Sequence, residues 1–363
     1  MIPATLPVPR AADAKLLVVD AEGTVRHHAR AEFLDLVREG DIVVANDAAT
    51  LPASLSGLHW PTGAAVELRL AGRDSLSPDD VSRFVAIVFG AGDFRTPTER
   101  RPHPPVLQPG DTLQLGPLQA DIVRVLGHPR LIEVRFHDSV AAIWEGVARH
   151  GRPIQYAYVM PPLAIWDTWT RIAGQPVAFE PPSAGFFLDW TLIRSLRSRG
   201  ARFATLTHAA GISSTGDTEL DRLLPFDEPY FIPPSTAGLI DTSRPRGRVI
   251  AIGTTVVRAL EHAARPDGTV RPGYGTATQR VGPHTRLRVV DAIVSGIHER
   301  GTSHYELLRA FQDAEVLGRM DAEAEARGYR THEFGDSVFV VRNRALAGQD
   351  GVGAVLVGTS SFD

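Results

Sequence analysis

Short apolar runs separated by Gly, Pro and Asp dominate residues 51–136. This spacing predicts a series of short strands, and no part of the region has the apolar repeat of an amphipathic helix. The predicted strands are Ala65–Leu70, Phe84–Phe89, Thr112–Leu115, Ala120–Val125 and Leu131–Phe136. Such a succession of strands is typical of a small β-barrel or sandwich.

On either side of this region the pattern changes, because buried strands alternate with amphipathic helices. Before it, the sequence predicts a hairpin (Lys15–Asp20 with Thr24–His28), a short helix (Glu32–Arg38) and a buried strand (Asp41–Ala45). After it, the predicted strands are Ala178–Glu180, Arg202–Thr207, Arg248–Ile252, Leu287–Val290, Ser337–Val341 and Ala354–Val357. The predicted helices are Phe187–Arg199, Val256–Ala264, His304–Gln312 and Ala314–Arg327. This alternation indicates an α/β protein with a largely parallel sheet.

Composition narrows the possible chemistry. The 363 residues include no cysteine, which excludes disulfides, thiolate nucleophiles and iron–sulfur ligation. Lys15 is the single lysine, so Schiff-base chemistry is nearly excluded and the positive charge lies on guanidinium groups, which favour phosphate and carboxylate. The formal net charge of −4 argues against bulk-basic nucleic-acid binding. With no signal-peptide pattern and no apolar run near the ~20 residues of a membrane span, we expect a cytoplasmic protein with no membrane partner.

The first candidate site is the start of the predicted helix after strand Arg248–Ile252. A buried strand turns at Gly253 directly into that helix, and the free N–H groups of a helix start attract an anion. Thr254 or Thr255 is expected to cap the helix, and Arg258 lies one turn further on. A carboxylate or phosphate site is one interpretation, and an ordinary strand–helix connection with a threonine cap is the alternative.

Two other strand ends carry candidate residues. Ser183, Ala184 and Gly185 are small enough to let a ligand approach the backbone, although the same segment also fits a plain loop. Asn46 and Asp47 follow a buried strand, and loops at strand ends often carry function.

Residues near the C-terminal end supply a third group of candidates. His298 lies between a predicted strand and a predicted helix, where an imidazole can be a general acid or base or fill a non-catalytic role. Thr302 or Ser303 is expected to cap the helix, with Glu306 completing a capping box from Ser303. Asp336 follows a glycine and is suited either to orient a hydroxyl group or a histidine, or to a β-turn.

No metal site is predicted. His27 and His28 lie on opposite faces of one predicted strand, so they cannot bind one ion from there. The sequence has no His-Glu-x-x-His motif, no nucleophile elbow and no P-loop, which also removes the common hydrolase and nucleotide-phosphate motifs.

Together these stretches resemble the S-adenosylmethionine:tRNA ribosyltransferase-isomerase family of the queuosine pathway. Residues 247–261 (GRVIAIGTTVVRALE) are nearly a full match to the most recognisable block of that family. Residues 40–55 (GDIVVANDAATLPASL) resemble its G-D-L-L-V-x-N-D-T-x-x-x-P-A-R-L block, and Pro182–Gly185 resembles its P-T-A-G-L-H-F block. Further agreements follow in the family's order: Asp291-Ala292, His298, Ala310-Phe311, Tyr329-Arg330 and Gly335-Asp336.

The resemblance implies an α/β main domain (residues 1–50 and 138–363) with an inserted small antiparallel β-barrel domain (residues 51–137). It implies S-adenosylmethionine as a co-substrate and tRNA as the acceptor. The ribosyl part is transferred to a 7-deazaguanine base and rearranged to an epoxycyclopentanediol (epoxyqueuosine formation), and adenine and methionine are released. No metal is implied. The sulfonium acidifies the C5′ protons, so a base is needed there, and an acid helps adenine to leave.

The resemblance also implies roles for the candidate residues. The catalytic candidates are His298, Glu228 and Asp336. The substrate-binding candidates are Asn46, Asp47, Ser183, Ala184, Gly185, His208, Gly253, Thr254, Thr255, Arg258, Thr302 and Ser303. The helix start would hold the methionine carboxylate with help from Arg258. His298 or Glu228 would be the acid/base group, and Asp336 and Asp47 would hold hydroxyl or amino groups.

The sequence departs from the family pattern at several positions. Phe187 replaces the histidine of P-T-A-G-L-H-F. Thr207 stands where T-L-H-V-G-A-G-T-F has its histidine, and His208 comes one position later, which on a strand points to the opposite face. Glu228 remains from H-x-M-H-x-E, but both histidines of that segment are absent. The lysine of L-P-K-S is absent as well.

These departures leave two functional hypotheses. The first is an enzyme of the family type that acts on tRNA. The alternative is a diverged paralogue that uses or cleaves S-adenosylmethionine with a non-tRNA acceptor, or a non-catalytic S-adenosylmethionine-binding protein. Two groups of arginines would contact tRNA or are simply solvated: Arg194, Arg197, Arg199 and Arg202, and Arg95, Arg100 and Arg101. The resemblance assigns no role to the extension after Arg342.

Overall fold

The structure is a computed structural model that describes residues 1–7, 13–343 and 345. In chain order the strands are β1 (Ile2–Pro3), β2 (Lys15–Val19), β3 (Val25–Ala29), β4 (Ile42–Asn46), β5 (Ala49–Thr50), β6 (Ser54–His59), β7 (Ala64–Gly72), β8 (Arg83–Phe89), β9 (Thr112–Leu115), β10 (Leu118–Val125), β11 (Leu131–Phe136), β12 (Pro176–Ala178), β13 (Arg202–His208), β14 (Glu228–Ile232), β15 (Val249–Ile252), β16 (Gly273–Ala277), β17 (Ala292–Gly296), β18 (Arg330–Thr331) and β19 (Ser337–Val341). The α-helices are α1 (Phe33–Leu36), α2 (Val140–His150), α3 (Trp190–Ser198), α4 (Thr218–Asp221), α5 (Pro234–Ser243), α6 (Thr254–Ala263), α7 (Ser303–Leu308) and α8 (Ala314–Ala326). Short 3₁₀ helices lie at Arg30–Glu32, Thr98–Arg100, Ile165–Thr168 and Ser183–Phe187.

A nine-stranded mixed sheet has the order β16-β14-β13-β4-β15-β17-β19-β2-β3. Its centre is parallel, since β13, β4, β15 and β17 run in one direction, and β19 and β2 are also parallel to each other. The remaining neighbours are antiparallel. The predicted α/β fold is confirmed. The predicted largely parallel sheet is wrong, because antiparallel strands extend the parallel centre on both sides.

The central strand β4 shows why this part of the sequence is a continuous apolar run. Ile42 and Val44 belong to a core shared with α5, α6, α7 and α8, whereas Val43 and Ala45 belong to a second core shared with α1, α3 and the 3₁₀ helix Ser183–Phe187. All four side chains are fully buried. A strand covered on both faces requires apolar side chains at every position rather than at every second one.

Strands β6 to β11 form a closed barrel in the order β10-β11-β8-β7-β6-β9, with antiparallel pairing throughout. The inserted barrel is thus confirmed and the sandwich alternative is wrong, whereas the domain boundaries at residues 51 and 137 stay a prediction. Strand β6 was not predicted. Its Gly57 lies so close to β9 that an added Cβ atom would stand 2.0 Å from the carbonyl oxygen of Gln114. This close approach requires a glycine, and the glycine interrupts the strand pattern.

The predicted strand Leu287–Val290 is wrong, since the strand at this place is β17, which begins at Ala292. The reason is a side chain from α6. The Glu261 carboxylate accepts hydrogen bonds from the backbone N–H groups of residues 288, 289 and 290, at 2.7–3.0 Å. The apolar residues are buried, but their backbone donors bind a side chain instead of a neighbouring strand.

Other elements differ in extent or were not predicted. The predicted strand Ala178–Glu180 is shifted, because β12 ends at Ala178 and pairs with β5 outside the large sheet. The predicted helix Phe187–Arg199 begins only at Trp190, where Asp189 caps α3 by accepting from the Leu192 N–H. The elements that sequence analysis did not predict include α2, α5, β14 and β16. The predicted strand Ala354–Val357 lies outside the described residues.

Candidate active site

A cavity of about 290 Å³ opens at the edge of the large sheet where the parallel strands β13, β15 and β17 end. Ligand sites of α/β proteins lie at this edge, outside the carboxyl ends of parallel strands. The walls come from within segments 180–184, 210–213, 221–225, 252–255, 295–298 and 301–307. The cavity brings together nine of the predicted site residues: Ser183, Ala184, Glu228, Gly253, Thr254, Thr255, Arg258, His298 and Ser303.

The start of α6 forms one wall of the cavity. Gly253 precedes the helix with a φ of +99°, a conformation that favours glycine, and an added Cβ would lie 3.2 Å from the Ala184 side chain. No side chain caps the helix, so the expected threonine cap is wrong. The Thr255 hydroxyl instead accepts a hydrogen bond from Asn46 Nδ2, at 3.3 Å. The first N–H groups of α6 therefore face a cavity without a side-chain acceptor, which is the arrangement that binds anions.

Arg258 and Glu228 form a buried ion pair beside the helix start. Arg258 also donates to the carbonyl oxygens of Phe226 (3.0 Å) and Ala277 (2.9 Å). The other Glu228 oxygen accepts from the Gly211 N–H at 2.6 Å. Burial raises the pKa of Glu228, and the guanidinium opposes this shift. Both side chains are thus engaged within the protein, which favours a role in holding β14, β16 and the Gly211 loop against α6.

His298 follows β17 and contacts a second histidine at the cavity wall. Its ring stacks on that of His304, with centroids 4.4 Å apart and an interplanar angle of 12°. Desolvation, and then the charge of Arg258, lower the pKa of His304 to about 4. His304 is therefore neutral at physiological pH and adds no positive charge next to His298.

Three predicted residues at the carboxyl ends of β4 and β13 do not line the cavity. Asn46 Nδ2 donates to the His208 carbonyl oxygen and its Oδ1 accepts from the His208 N–H, so it joins β4 to β13. Asp47 accepts from the Thr207 hydroxyl at 2.7 Å. The His208 ring is fully buried, with Nε2 3.5 Å from a Glu228 oxygen. Burial, and then Arg258, hold the pKa of His208 well below its usual range, so the ring is neutral.

Three more predicted residues also lie outside the lining. Gly185 packs on Thr170, whose Cγ2 atom would be 2.7 Å from an added Cβ. Thr302 caps α7 by accepting from the Tyr305 N–H at 3.3 Å, so the expected capping box from Ser303 is wrong. The Asp336 carboxylate accepts from the backbone N–H groups of Lys15 and Arg330, which supports the turn interpretation of this residue.

Phe187, which replaces a family histidine, is part of the core. Its ring is fully buried and contacts Phe33 edge-on, with centroids 5.0 Å apart. The position therefore contributes packing between the 3₁₀ helix and α1 and offers no polar group to the cavity.

Several ionisable residues of the lining were not predicted as cavity residues from the sequence: Glu180, Arg222, Arg280, His304 and Glu306. A signal was present for two of them, because Glu180 ends a predicted strand and His304 begins a predicted helix. Arg222 is exposed at the cavity, and Arg280 Nη1 donates to its carbonyl oxygen at 2.7 Å. The two arginines place positive charge at the rim.

Across the described residues, no group of three or more His, Cys, Asp or Glu side chains is arranged to hold a metal ion. That the reaction needs no metal stays a prediction. In the same part of the chain, no helix combines the length and the apolar character needed to cross a membrane.

The fold and the cavity define a mixed α/β protein with a closed barrel and a cavity at the ends of its parallel strands. A family model described as "Queuosine biosynthesis protein" matches residues 2–340. The chain therefore belongs to the queuosine biosynthesis protein family.

Named relatives align with most of the chain. It is 31% identical to an S-adenosylmethionine:tRNA ribosyltransferase-isomerase from Geobacter sulfurreducens, over 85% of this chain and 87% of the relative. It is 32% identical to a protein of the same name from Methylobacterium sp. (strain 4-46), over 91% and 92%. A solved S-adenosylmethionine tRNA ribosyltransferase from Thermotoga maritima is 21% identical, covers 93% of this chain and 96% of its own, and superposes with a TM-score of 0.49.

Proposed function

We propose that this protein transfers the ribosyl part of S-adenosylmethionine to a 7-deazaguanine base of tRNA and isomerises it, forming epoxyqueuosine and releasing adenine and methionine. Membership of the family supports this proposal, as do the names of the relatives. The structural observation that carries it is the uncapped start of α6, which faces one cavity together with His298.

The start of α6 is suited to the methionine carboxylate. Its free N–H groups and the positive end of the helix dipole favour a negative charge at this place. Small residues on the facing loop, Ser183 and Ala184, leave room for the ligand. Arg258 does not reach out to the carboxylate in this proposal. It holds the helix start in place, and Arg222 and Arg280 add positive charge at the rim.

His298 is the group we assign to removal of a C5′ proton. The neighbouring sulfonium makes that proton acidic, and an imidazole accepts protons near neutral pH. Neutral His304 supports the ring by stacking and adds no charge that would oppose protonation. Glu228, the alternative acid/base group, is tied to Arg258 and to the Gly211 N–H, so the geometry favours His298.

For the acceptor we propose contact with tRNA through exposed arginines of α3 and the start of β13. Arg194, Arg197 and Arg202 are exposed there. The other predicted arginine group is weaker, because Arg101 is buried in the barrel, where it pairs with Glu67. Its expected place in a surface patch is therefore wrong. Binding through the exposed group should weaken steeply with added salt, as contacts to phosphates do.

Thr254→Pro is expected to weaken binding of S-adenosylmethionine about 10- to 100-fold, which corresponds to one lost hydrogen bond to a charged group, about 1.5–3 kcal/mol. Thr254 is the first helical residue, where a helix tolerates proline, and the substitution removes one N–H group facing the cavity. Calorimetric titration with S-adenosylmethionine measures the change.

The matched control is Thr254→Ala, which keeps the N–H group and removes only the hydroxyl. It should bind nearly as the parent protein does. Equal weakening in both variants would assign binding to the hydroxyl, and unchanged binding in Thr254→Pro would remove the carboxylate from this helix start.

Mass spectrometry of the products tests the proposed function itself. The protein is incubated with S-adenosylmethionine, with and without tRNA that carries an aminomethyl-7-deazaguanine base. We expect adenine and methionine together with a mass gain on the tRNA. Release of adenine without modified tRNA would indicate a different acceptor. No release with either mixture would contradict the enzymatic proposal.

A further inference from the structure

Glu180 is a carboxyl group on the cavity wall that has no role in the proposed binding of methionine or in the removal of the C5′ proton. It lies in the loop between β12 and the 3₁₀ helix Ser183–Phe187 and is 6% exposed. One oxygen makes a short hydrogen bond with the Tyr156 hydroxyl, and the other accepts from the Ser213 N–H at 3.1 Å. The group is thus held in a fixed position at the edge of the cavity.

The hydrogen bonds of Tyr156 indicate where a proton resides. Its hydroxyl oxygen lies 2.9 Å from the Ser214 carbonyl oxygen and within bonding distance of Glu180, so two acceptors compete for one phenol proton. The Ser214 N–H already donates to the same hydroxyl oxygen. If Glu180 carries a proton, it donates to Tyr156, Tyr156 donates to the Ser214 carbonyl, and every group is satisfied.

The surroundings of Glu180 agree with a protonated carboxyl group. Burial raises its pKa to about 7, and the charge of Glu333 adds to the effect, whereas the bonds from Ser213 and Tyr156 oppose it. Arg69 lies on the far side of Tyr156, with Cζ 5.9 Å from the ring centroid. The other titratable or charged groups around the cavity are Asp221, Arg222, Glu228, Arg258, Arg280, His298, His304 and Glu306.

The other acidic residues of the described lining have a cation or two hydrogen-bond donors as partners. Glu228 pairs with Arg258, and Glu306 pairs with Arg309 at 2.8 Å. Asp221 accepts from both the N–H and the hydroxyl of Thr215 at 2.6 Å. Among the described residues, the partners of Glu180 are the Tyr156 hydroxyl and the Ser213 N–H, with no cation paired to it. A buried carboxyl group without a paired cation keeps its proton more readily.

We propose that Glu180 is the general acid that protonates adenine as it leaves, with Tyr156 as its positioning partner; this rests on the proposed function. Loss of the C5′ proton places an electron pair at C5′, which forms a C4′=C5′ bond as the ring oxygen leaves C4′. That oxygen then forms the carbonyl at C1′, and the C1′–N9 electron pair departs with adenine. In this step the Glu180 carboxyl group gives its proton to an adenine nitrogen instead of sharing it with the Tyr156 hydroxyl, so adenine leaves neutral and Glu180 becomes a carboxylate.

The Tyr156 hydroxyl suits both states of this acid. When Glu180 is protonated, the phenol donates to the Ser214 carbonyl, and once Glu180 has given up its proton, the phenol rotates and donates to the carboxylate. The network thus stabilises the charge that the step creates without moving the backbone. A proton from solvent restores the acid after product release.

The variant Glu180→Gln tests the proposal, because glutamine keeps the shape and donates to Tyr156 but has no acidic proton to give. We expect kcat to fall about 100-fold, with S-adenosylmethionine affinity and melting temperature close to those of the parent protein. The parent kcat should decline as pH rises through about 7, since the acid is then ionised, and this decline should be absent in Glu180→Gln. The matched control is Glu306→Gln, another carboxyl group in the lining, which should change kcat by only a few-fold.

An S-adenosylmethionine analogue with 2-fluoroadenine separates an acid from a merely structural residue. Its base is a better leaving group, so it should restore much of the rate of Glu180→Gln while changing the parent rate little. Full kcat in Glu180→Gln, or an equal deficit with both substrates, would overturn the assignment. If the parent protein itself releases no adenine, the proposed function is wrong. That result comes from the parent protein alone and does not depend on the Glu180→Gln variant.

Discussion

Replacing His298 with alanine is expected to lower kcat about a thousandfold or more, with little change in S-adenosylmethionine binding. The effect lies within the range of about 100- to 10,000-fold for general acid–base groups, because in the proposed function the imidazole is the base that removes the C5′ proton. The side chain lies at the cavity wall and stacks on His304, so its removal should leave the core intact. Adenine release under saturating S-adenosylmethionine and tRNA measures kcat, and calorimetric titration measures binding.

The matched control for this prediction is His284→Ala. His284 is exposed and does not line the cavity, so both kcat and binding should stay unchanged. Full turnover in His298→Ala would remove this residue from the chemistry. A loss of binding that accounts for the whole loss of rate would instead assign His298 to recognition of the substrate.

Replacing Arg258 with leucine is expected to lower the free energy of unfolding by about 3–5 kcal/mol, the usual cost of leaving one partner of a buried ion pair alone. Arg258 is 4% exposed and pairs with Glu228, which is 6% exposed. The substitution also leaves the carbonyl oxygens of Phe226 and Ala277 without their donor. Denaturant unfolding followed by fluorescence measures the change.

Two further variants make the Arg258 prediction specific. Arg319→Leu removes an exposed pair with Glu315 and should cost less than about 1 kcal/mol. Adding Glu228→Leu to Arg258→Leu removes the unpaired carboxylate and should recover part of the stability. A loss in Arg258→Leu no larger than that in Arg319→Leu would contradict a buried ion pair that holds the helix start.

An element of the fold could be predicted from the sequence where the residues that define it lie close together in the chain. Strands β9 and β11 have the predicted bounds, because alternating apolar residues and flanking turns define them within a few residues. Strands β14 and β16 could not be found in this way. An added Cβ on Gly275 of β16 would lie 2.4 Å from the Tyr230 hydroxyl of β14, so the glycine that weakens the pattern is required by the pairing.

For the candidate site, the sequence indicated which segments meet but not what their side chains do there. Gly253 and His298 follow parallel neighbouring strands, so their meeting at one sheet edge followed from the strand–helix order. The ion pair between Arg258 and Glu228 could not be predicted in the same way. Its position one turn into a helix fits an anion ligand, and only the packing of β14 and β16 against α6 directs it to Glu228.

By itself the sequence determined the family, the fold class and the helix start at Gly253, because motif spacing, apolar periodicity and turn residues are local properties of the chain. The tertiary structure decided the mixed direction of the sheet, the burial of His208, the position of Asp336 in a turn and the contact between Glu180 and Tyr156. The physical reason is that burial and hydrogen-bond partners arise from segments far apart in the chain. Those partners set whether a side chain carries a proton, a charge or neither.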